Sequence, residues 1–178
     1  MMLGTLATTK HEVPVPIISN PLDRLYQEHH SMVFRTAYRI TGNAADAEDV
    51  LQTVFLRMVR RSDRDEPLDA IEYPENYLRR AAVHAALDLV RARRAAADVE
   101  LDRLPGSGSR PDEGDLRELI RRAVSELPER SAEIFTLRFF EGLTNPEIAK
   151  ALGISSITVA VTLHRSRRQL QKKLRAKQ

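Results

Sequence analysis

Apolar residues recur at steps of three and four along most of the chain, and those steps mark out one helix after another. The clearest stripe is Ala47, Val50, Leu51, Val54, Phe55 and Met58, the buried face of a helix from about Ala44 to Arg61. Before it, Leu25, Val33, Phe34, Ala37 and Ile40 give a helix from about Leu22 to Arg39, broken by Gly42 and Asn43. A charged segment, Ser62 to Asn76, contains Pro67 and Pro74 and reads as a loop with at most a short helical turn. A third long helix is predicted from about Tyr77 to Arg94. Leu116 to Leu127 and Ser131 to Phe140 form two further amphipathic segments separated by Pro128, and Gly142 ends the second. Alternating β-branched runs are missing, so no strand is predicted.

The periodicity lapses in two places. Residues 1–20 carry Pro14 and Pro16 in a polar setting and read as a flexible N-terminal extension. The stretch AAADVELDRLPGSGSRPDEGD, residues 95–115, shifts abruptly to Gly, Pro, Ser and acid, which is linker composition. The predicted fold is therefore all-α: two small helical domains, 21–95 and 116–178, joined by a flexible acidic linker over 96–115. A length of 178 residues suits one ordinary domain or two small ones.

After Gly142 comes TNPEIAKALGISSITVAVTLHRSRR, Thr144 to Arg168. Thr144 with Glu147 three residues on is a capping box, and Pro146 is harmless in a first turn. Ile148, Ala149 and Leu152 make an apolar face, Gly153 supplies a permissive backbone for the turn, and Ser155 or Ser156 caps the next helix. Small Ala149, Gly153 and apolar Val159 stand at helix-turn-helix separations, although a plain three-helix bundle could show the same punctuation. Charge favours a nucleic-acid role. From Ser155 to Gln178 the chain carries Arg165, Arg167, Arg168, Lys172, Lys173, Arg175 and Lys177 with no Asp or Glu, whereas a merely solvated helix mixes signs. The overall +3 hides −4 over residues 96–115 and +7 over 116–178, so the basic end is the nucleic-acid candidate.

Other chemistries find little support. Without cysteine there is no disulfide framework and no thiolate zinc site, and His11, His29, His30, His84 and His164 lack ligand spacing. No carboxylate pair, metal set or nucleophile-base set stands out, so neither an enzyme nor a cofactor is predicted. No apolar run reaches the length of a membrane span and the N-terminus lacks the order of a signal peptide, making a cytoplasmic protein without membrane contact the default.

Three segments together resemble the bacterial extracytoplasmic-function sigma factors: DAEDVLQTVFLRMVRR (Asp46 to Arg61), NYLRRAAVHAALDLVRARR (Asn76 to Arg94) and LPERSAEIFTLRFFEGLTNPEIAKALGI (Leu127 to Ile154). The likeness covers roughly residues 22–94 and 116–175. It implies a promoter-specificity subunit, not an enzyme, that binds core RNA polymerase through the clamp helices of the largest subunit and the flap. Such a protein recognises and opens promoter DNA, and an anti-sigma factor is a further implied partner. The rival reading is a helix-turn-helix transcriptional regulator independent of polymerase.

The resemblance assigns sites residue by residue. Asp49, Gln52 and Thr53 form a polar ridge off the apolar stripe and match the core-binding position, Thr53 standing where an acid is common. Acidic residues in a first turn are also favoured by the helix dipole alone, which accounts for Asp46. Tyr77, Arg80, His84 and Arg91 fall where the family meets the −10 element as a single strand, with Tyr77 in a frequent Trp position and His84 in a frequent Asn position. The lesser alternative for arginines there is simple solubilising charge. The acidic linker would thread the RNA channel of the polymerase or act as a simple spacer. On the recognition helix, Ser155, Ser156, Ile157, Thr158, Ala160, Val161, His164, Arg165 and Arg168 are the −35 candidates. Ala160, Val161 and Thr162 replace the family's basic or polar residues, so the expected readout is thymine methyls, His164 and DNA shape. The alternative occupant of that face is a protein.

Overall fold

A computed structural model of the chain describes residues 20–62, 64, 67–101 and 113–175. The readings of an N-terminal extension over 1–19 and of a linker over 102–112 lie outside the described residues. Among the described residues seven α-helices follow in order: α1 Pro21–Thr41, α2 Ala44–Ser62, α3 Pro74–Leu101, α4 Glu113–Ser125, α5 Glu129–Phe139, α6 Asn145–Leu152 and α7 Ser156–Arg175. A 3-10 turn, Leu68–Ala70, precedes α3. Among the described residues there is no strand.

The first three helices form one bundle. The α1 helix starts where the Asn20 side chain accepts from Leu22 N at 2.9 Å with Pro21 in the first turn, and it stops at Gly42, whose φ of 72° closes the cap. Asn43 caps α2 through Oδ1, which accepts from Ala45 N at 2.8 Å and Asp46 N at 3.3 Å. Val33, Ala37 and Ile40 of α1 meet Ala47, Val50, Val54 and Met58 of α2 and Leu78, Ala82, Val83 and Ala86 of α3, all buried. Each of the larger side chains contributes about 1.5–3 kcal/mol of burial.

The α3 helix is longer at both ends than the apolar pattern predicts. It begins at Pro74, because a first-turn proline lacks an N–H that would have had no partner anyway. Past Arg94 it runs through Ala95, Ala96 and Ala97 to Leu101, since alanine is the strongest helix former and continues a helix whatever the change in composition.

Helices α4 to α7 make the second bundle around Val124, Leu127, Ile134, Leu137, Ile148, Val159, Leu163 and Leu170. The two bundles are packed together through α3 against α4 and α5, a docking on which the sequence pattern is silent. The Arg121 guanidinium of α4 lies over Gly42, and a Cβ built there would meet it at 2.5 Å. The cation sits at the carbonyl end of α1, where the helix dipole favours it.

Candidate nucleic-acid interface

The α6–α7 pair is assembled by local bonds. Thr144 accepts from Glu147 N at 3.4 Å while its own N–H donates to Glu147 Oε2 at 2.7 Å, the reciprocal box that the sequence predicts. The Thr144 hydroxyl and N–H hold the Glu147 carboxyl below the ordinary carboxylate value. Gly153 ends α6 with φ 62°. Ser155 rather than Ser156 then caps α7, accepting from Thr158 N at 3.0 Å. The two helices turn through 109°, within the helix-turn-helix range of about 90–120°. Ala149, 7% exposed, and Val159, fully buried, fill the crossing.

The outer face of α7 presents Ile157, Ala160, Val161, His164 and Arg168 at helical steps, all exposed, with Arg165 beside them. Ile157 is 76% exposed and Val161 43%, a large apolar exposure on an otherwise basic helix. Ser156 is also exposed, whereas the hydroxyls of Ser155 and Thr158 are 2.9 Å apart and occupied with the cap. Arg167 lies 4.9 Å over the Phe139 ring and is partly held by α5.

On α2, Asp49, Gln52 and Thr53 are exposed. Leu56, 53% exposed, continues their face one turn further and was not singled out by the sequence reading. Its signal was available: positions 49, 52, 53 and 56 step by three and four on the side opposite the apolar stripe. Asp46 behaves differently. It is 4% exposed and ion-paired with Arg93 of α3, in addition to its place in the first turn.

The cationic face of α3 is largely engaged. Arg80 Nε donates to Glu133 Oε1 at 2.9 Å, His84 Nε2 lies 2.9 Å from the same oxygen, and Arg130 Nη1 donates to Glu133 Oε2 at 2.9 Å. Glu133 belongs to α5 and is 2% exposed. Burial alone would raise its carboxyl, but His84 and Arg80 beside it outweigh burial and hold it at about 2. Contact with Glu133 lifts His84 above the ordinary imidazole value, against a smaller opposing effect of desolvation. Further along, Arg91 Nε donates to Ser125 O at 3.0 Å and its Nη1 to Asp88 at 3.1 Å, and Arg94 pairs with Glu126 at 2.9 Å. Tyr77 stays 39% exposed, with the Arg61 guanidinium 5.9 Å above its ring. Of the four candidates for a DNA strand, Tyr77 is thus open, whereas Arg80, His84 and Arg91 touch α4 and α5. Glu133, which meets Arg80 and His84, was not anticipated, because ion pairs between residues some fifty positions apart leave no local pattern. Among the described residues no cluster of His, Asp and Glu could hold a metal.

Residues 25–96 match the family model for sigma-70 region 2, and residues 117–170 match that for sigma-70 region 4. The ECF RNA polymerase sigma factor SigL of Mycobacterium tuberculosis is 31% identical over 157 residues, covering 83% of this chain and 85% of that protein. The chain belongs to the extracytoplasmic-function sigma factors. ECF sigma factor SigE of Mycolicibacterium smegmatis is 32% identical over 84% of this chain, which spans 60% of that protein's length. Among solved structures, CnrH in complex with the cytosolic domain of CnrY is similar at 26% identity and a TM-score of 0.49, over 88% of this chain and 89% of that one. In this sigma factor the region 2 match spans α1, α2 and most of α3, and the region 4 match runs from α4 into α7. Transcription initiation, polymerase binding and DNA binding through the region 4 helix-turn-helix are the family's function and that of this chain.

Proposed function

We propose that this sigma factor divides its contacts among three faces. The α2 ridge of Asp49, Gln52, Thr53 and Leu56 docks on the clamp helices of the largest polymerase subunit. The α3 face, through Tyr77, Arg80, His84 and Arg91, receives the −10 strand as a single strand. The outer face of α7 enters the −35 groove: Ser156, Ile157, Ala160, Val161 and His164 meet base edges, Arg165 and Arg168 meet phosphates, and Ser155 and Thr158 set the start of the helix. Phosphate contacts position the helix and apolar side chains read thymine methyls. The protein works by binding and supplies no catalytic group of its own. It acts in the cytoplasm with core polymerase, including its flap, and promoter DNA as partners, and with an anti-sigma factor as its antagonist. No single described helix is long and apolar enough to cross a membrane.

The observation that carries the reading is the exposed polar ridge of α2 with Leu56 at its end. An isolated helix-turn-helix regulator has no use for such a surface on a second bundle. Replacing Asp49 and Gln52 by alanine changes stability by less than about 0.5 kcal/mol, as for other exposed polar sites, while core polymerase binding is lost. A pull-down titration checks this: unchanged affinity for core enzyme would sink the assignment of the ridge.

A further inference from the structure

The line of α2 side chains that holds Asp49, Gln52, Thr53 and Leu56 does not stop at Leu56. Arg60 follows Leu56 by one turn and is exposed, and Arg57, also exposed, flanks it one turn after Thr53. Arg61, next in sequence, turns the other way: it is half-buried, and its guanidinium lies 5.9 Å from the centre of the Tyr77 ring on α3. Among the described residues no ion pair, hydrogen bond or ring contact engages the Arg57 or Arg60 side chain. The opposite side of α2 packs on α1 and α3, which leaves this line to solvent along its length.

Charge is sorted along that line. Glu48 and Asp49 stand exposed at its start, Thr53 and Leu56 are uncharged at its middle, and Arg57 and Arg60 close it. The helix dipole favours acid first and base last, but its effect fades beyond the first and last turns. It therefore explains Arg60, in the last turn, better than Asp49, which follows the first. Nor does it give a reason for Leu56 to remain 53% exposed between the charged ends. An apolar centre within a polar rim is how a protein interface is laid out.

We infer that α2 is a directional docking edge: its partner sets a cation opposite Asp49, an apolar contact opposite Leu56 and a carboxylate opposite Arg60. The inference rests on the reading of this ridge as the contact with core polymerase, and it adds Arg60 as the residue that fixes which way round the helix seats. A line of one sign could lie along a partner helix in either direction, whereas reversing a line of two signs brings like charges face to face. At about 1.5 Å of rise per residue, Asp49 and Arg60 lie about 16 Å apart along the helix. That exceeds the Debye length of about 8 Å at physiological salt, so each end needs its own counter-charge.

The test titrates the full chain against core polymerase with Arg60→Gln, with Arg60→Glu, and with the exchange Asp49→Arg plus Arg60→Asp. Arg24→Glu, exposed on α1 and off the line, makes the same charge change as Arg60→Glu. Affinity should fall roughly threefold for Arg60→Gln, as for a rim charge that loses its partner. It should fall by more than about tenfold for Arg60→Glu, where repulsion is added, and stay at the parent level for Arg24→Glu. The exchange conserves composition and net charge and should bind no better than Arg60→Glu; parent affinity there would show that net charge, not direction, governs docking, and would overturn the inference.

Melting temperature and helical circular dichroism are read for each variant. If Arg60→Glu loses helix, Arg60→Gln alone decides. A lower melting temperature with unchanged affinity would reduce Arg60 to a partner of the helix dipole and overturn the inference. Normal affinity for core enzyme with weaker promoter binding by the assembled holoenzyme overturns it as well, by assigning Arg60 to phosphates. Asp49→Ala with Gln52→Ala separates the remaining failures. Affinity lost in that variant but kept in Arg60→Glu sinks the directional edge alone, whereas parent affinity in every variant sinks the ridge itself.

Discussion

Asp46 and Asp49 lie three residues apart in the first turns of α2, yet their surroundings give them different work. Asp46 is buried and paired with Arg93, and Asn43 Oδ1 accepts from its backbone N–H. Asp49 faces water beside Gln52 and Thr53. Alanine at 46 leaves a cavity and a cation without its partner, but Arg93 is 56% exposed and can turn to solvent. The expected cost is about 1–2 kcal/mol, below that of breaking a fully buried pair. Urea unfolding measures it, and a loss below about 0.5 kcal/mol would show that the pair does not support the bundle. Dipole reasoning from sequence explained the placement of Asp46. It did not reveal Arg93 as a partner, because that contact joins two helices through the fold.

At the scale of elements, α6 and α7 were legible nearly to the residue, and α3 was not. Thr144, Glu147, Gly153 and Ser155 act on their immediate neighbours, so their sequence spacing is their geometry. The ends of α3 turned on signals that point both ways: Pro74 breaks a helix interior but suits a first turn, and the alanines after Arg94 adjoin acidic, glycine-rich composition while favouring helix. The α7 face yields its own prediction. Ile157, Ala160 and Val161 offer no bidentate grip on guanine, so a single −35 mismatch should cost roughly 1 kcal/mol, the low end for base readout. A −35 substitution series in transcription assays measures this. No response at any base would favour a protein partner on this face, and a large guanine-specific loss would show that another register meets the groove.

At the scale of the whole molecule, two helical modules were legible from two runs of periodic residues, whereas their docking was not. The contacts of Arg80, His84 and Arg91 with α4 and α5 depend on the mutual placement of two bundles, which no local pattern encodes. The docking should depend on pH in a defined direction. Glu133, lowered from 4.5 to about 2, contributes stability present above its unfolded value and lost as pH falls toward 2. His84, raised above 6.5, contributes stability present below that value and lost as pH rises through its folded pKa. Melting temperature should therefore peak between about pH 4.5 and 6.5 for this contact. His84→Gln should flatten the alkaline limb, and an unchanged limb in a thermal melt series would show that the pair does not contribute.

The claim on which the rest depends is that the chain gives promoter specificity to core RNA polymerase. Run-off transcription on fragmented genomic DNA, with purified core enzyme and with or without the chain, tests it most directly. Discrete transcripts with fixed start sites that appear only when the chain is present, and vanish with Asp49→Ala and Gln52→Ala, are the predicted result. A chain that binds duplex DNA yet neither co-purifies with core enzyme nor yields any transcript would contradict the account.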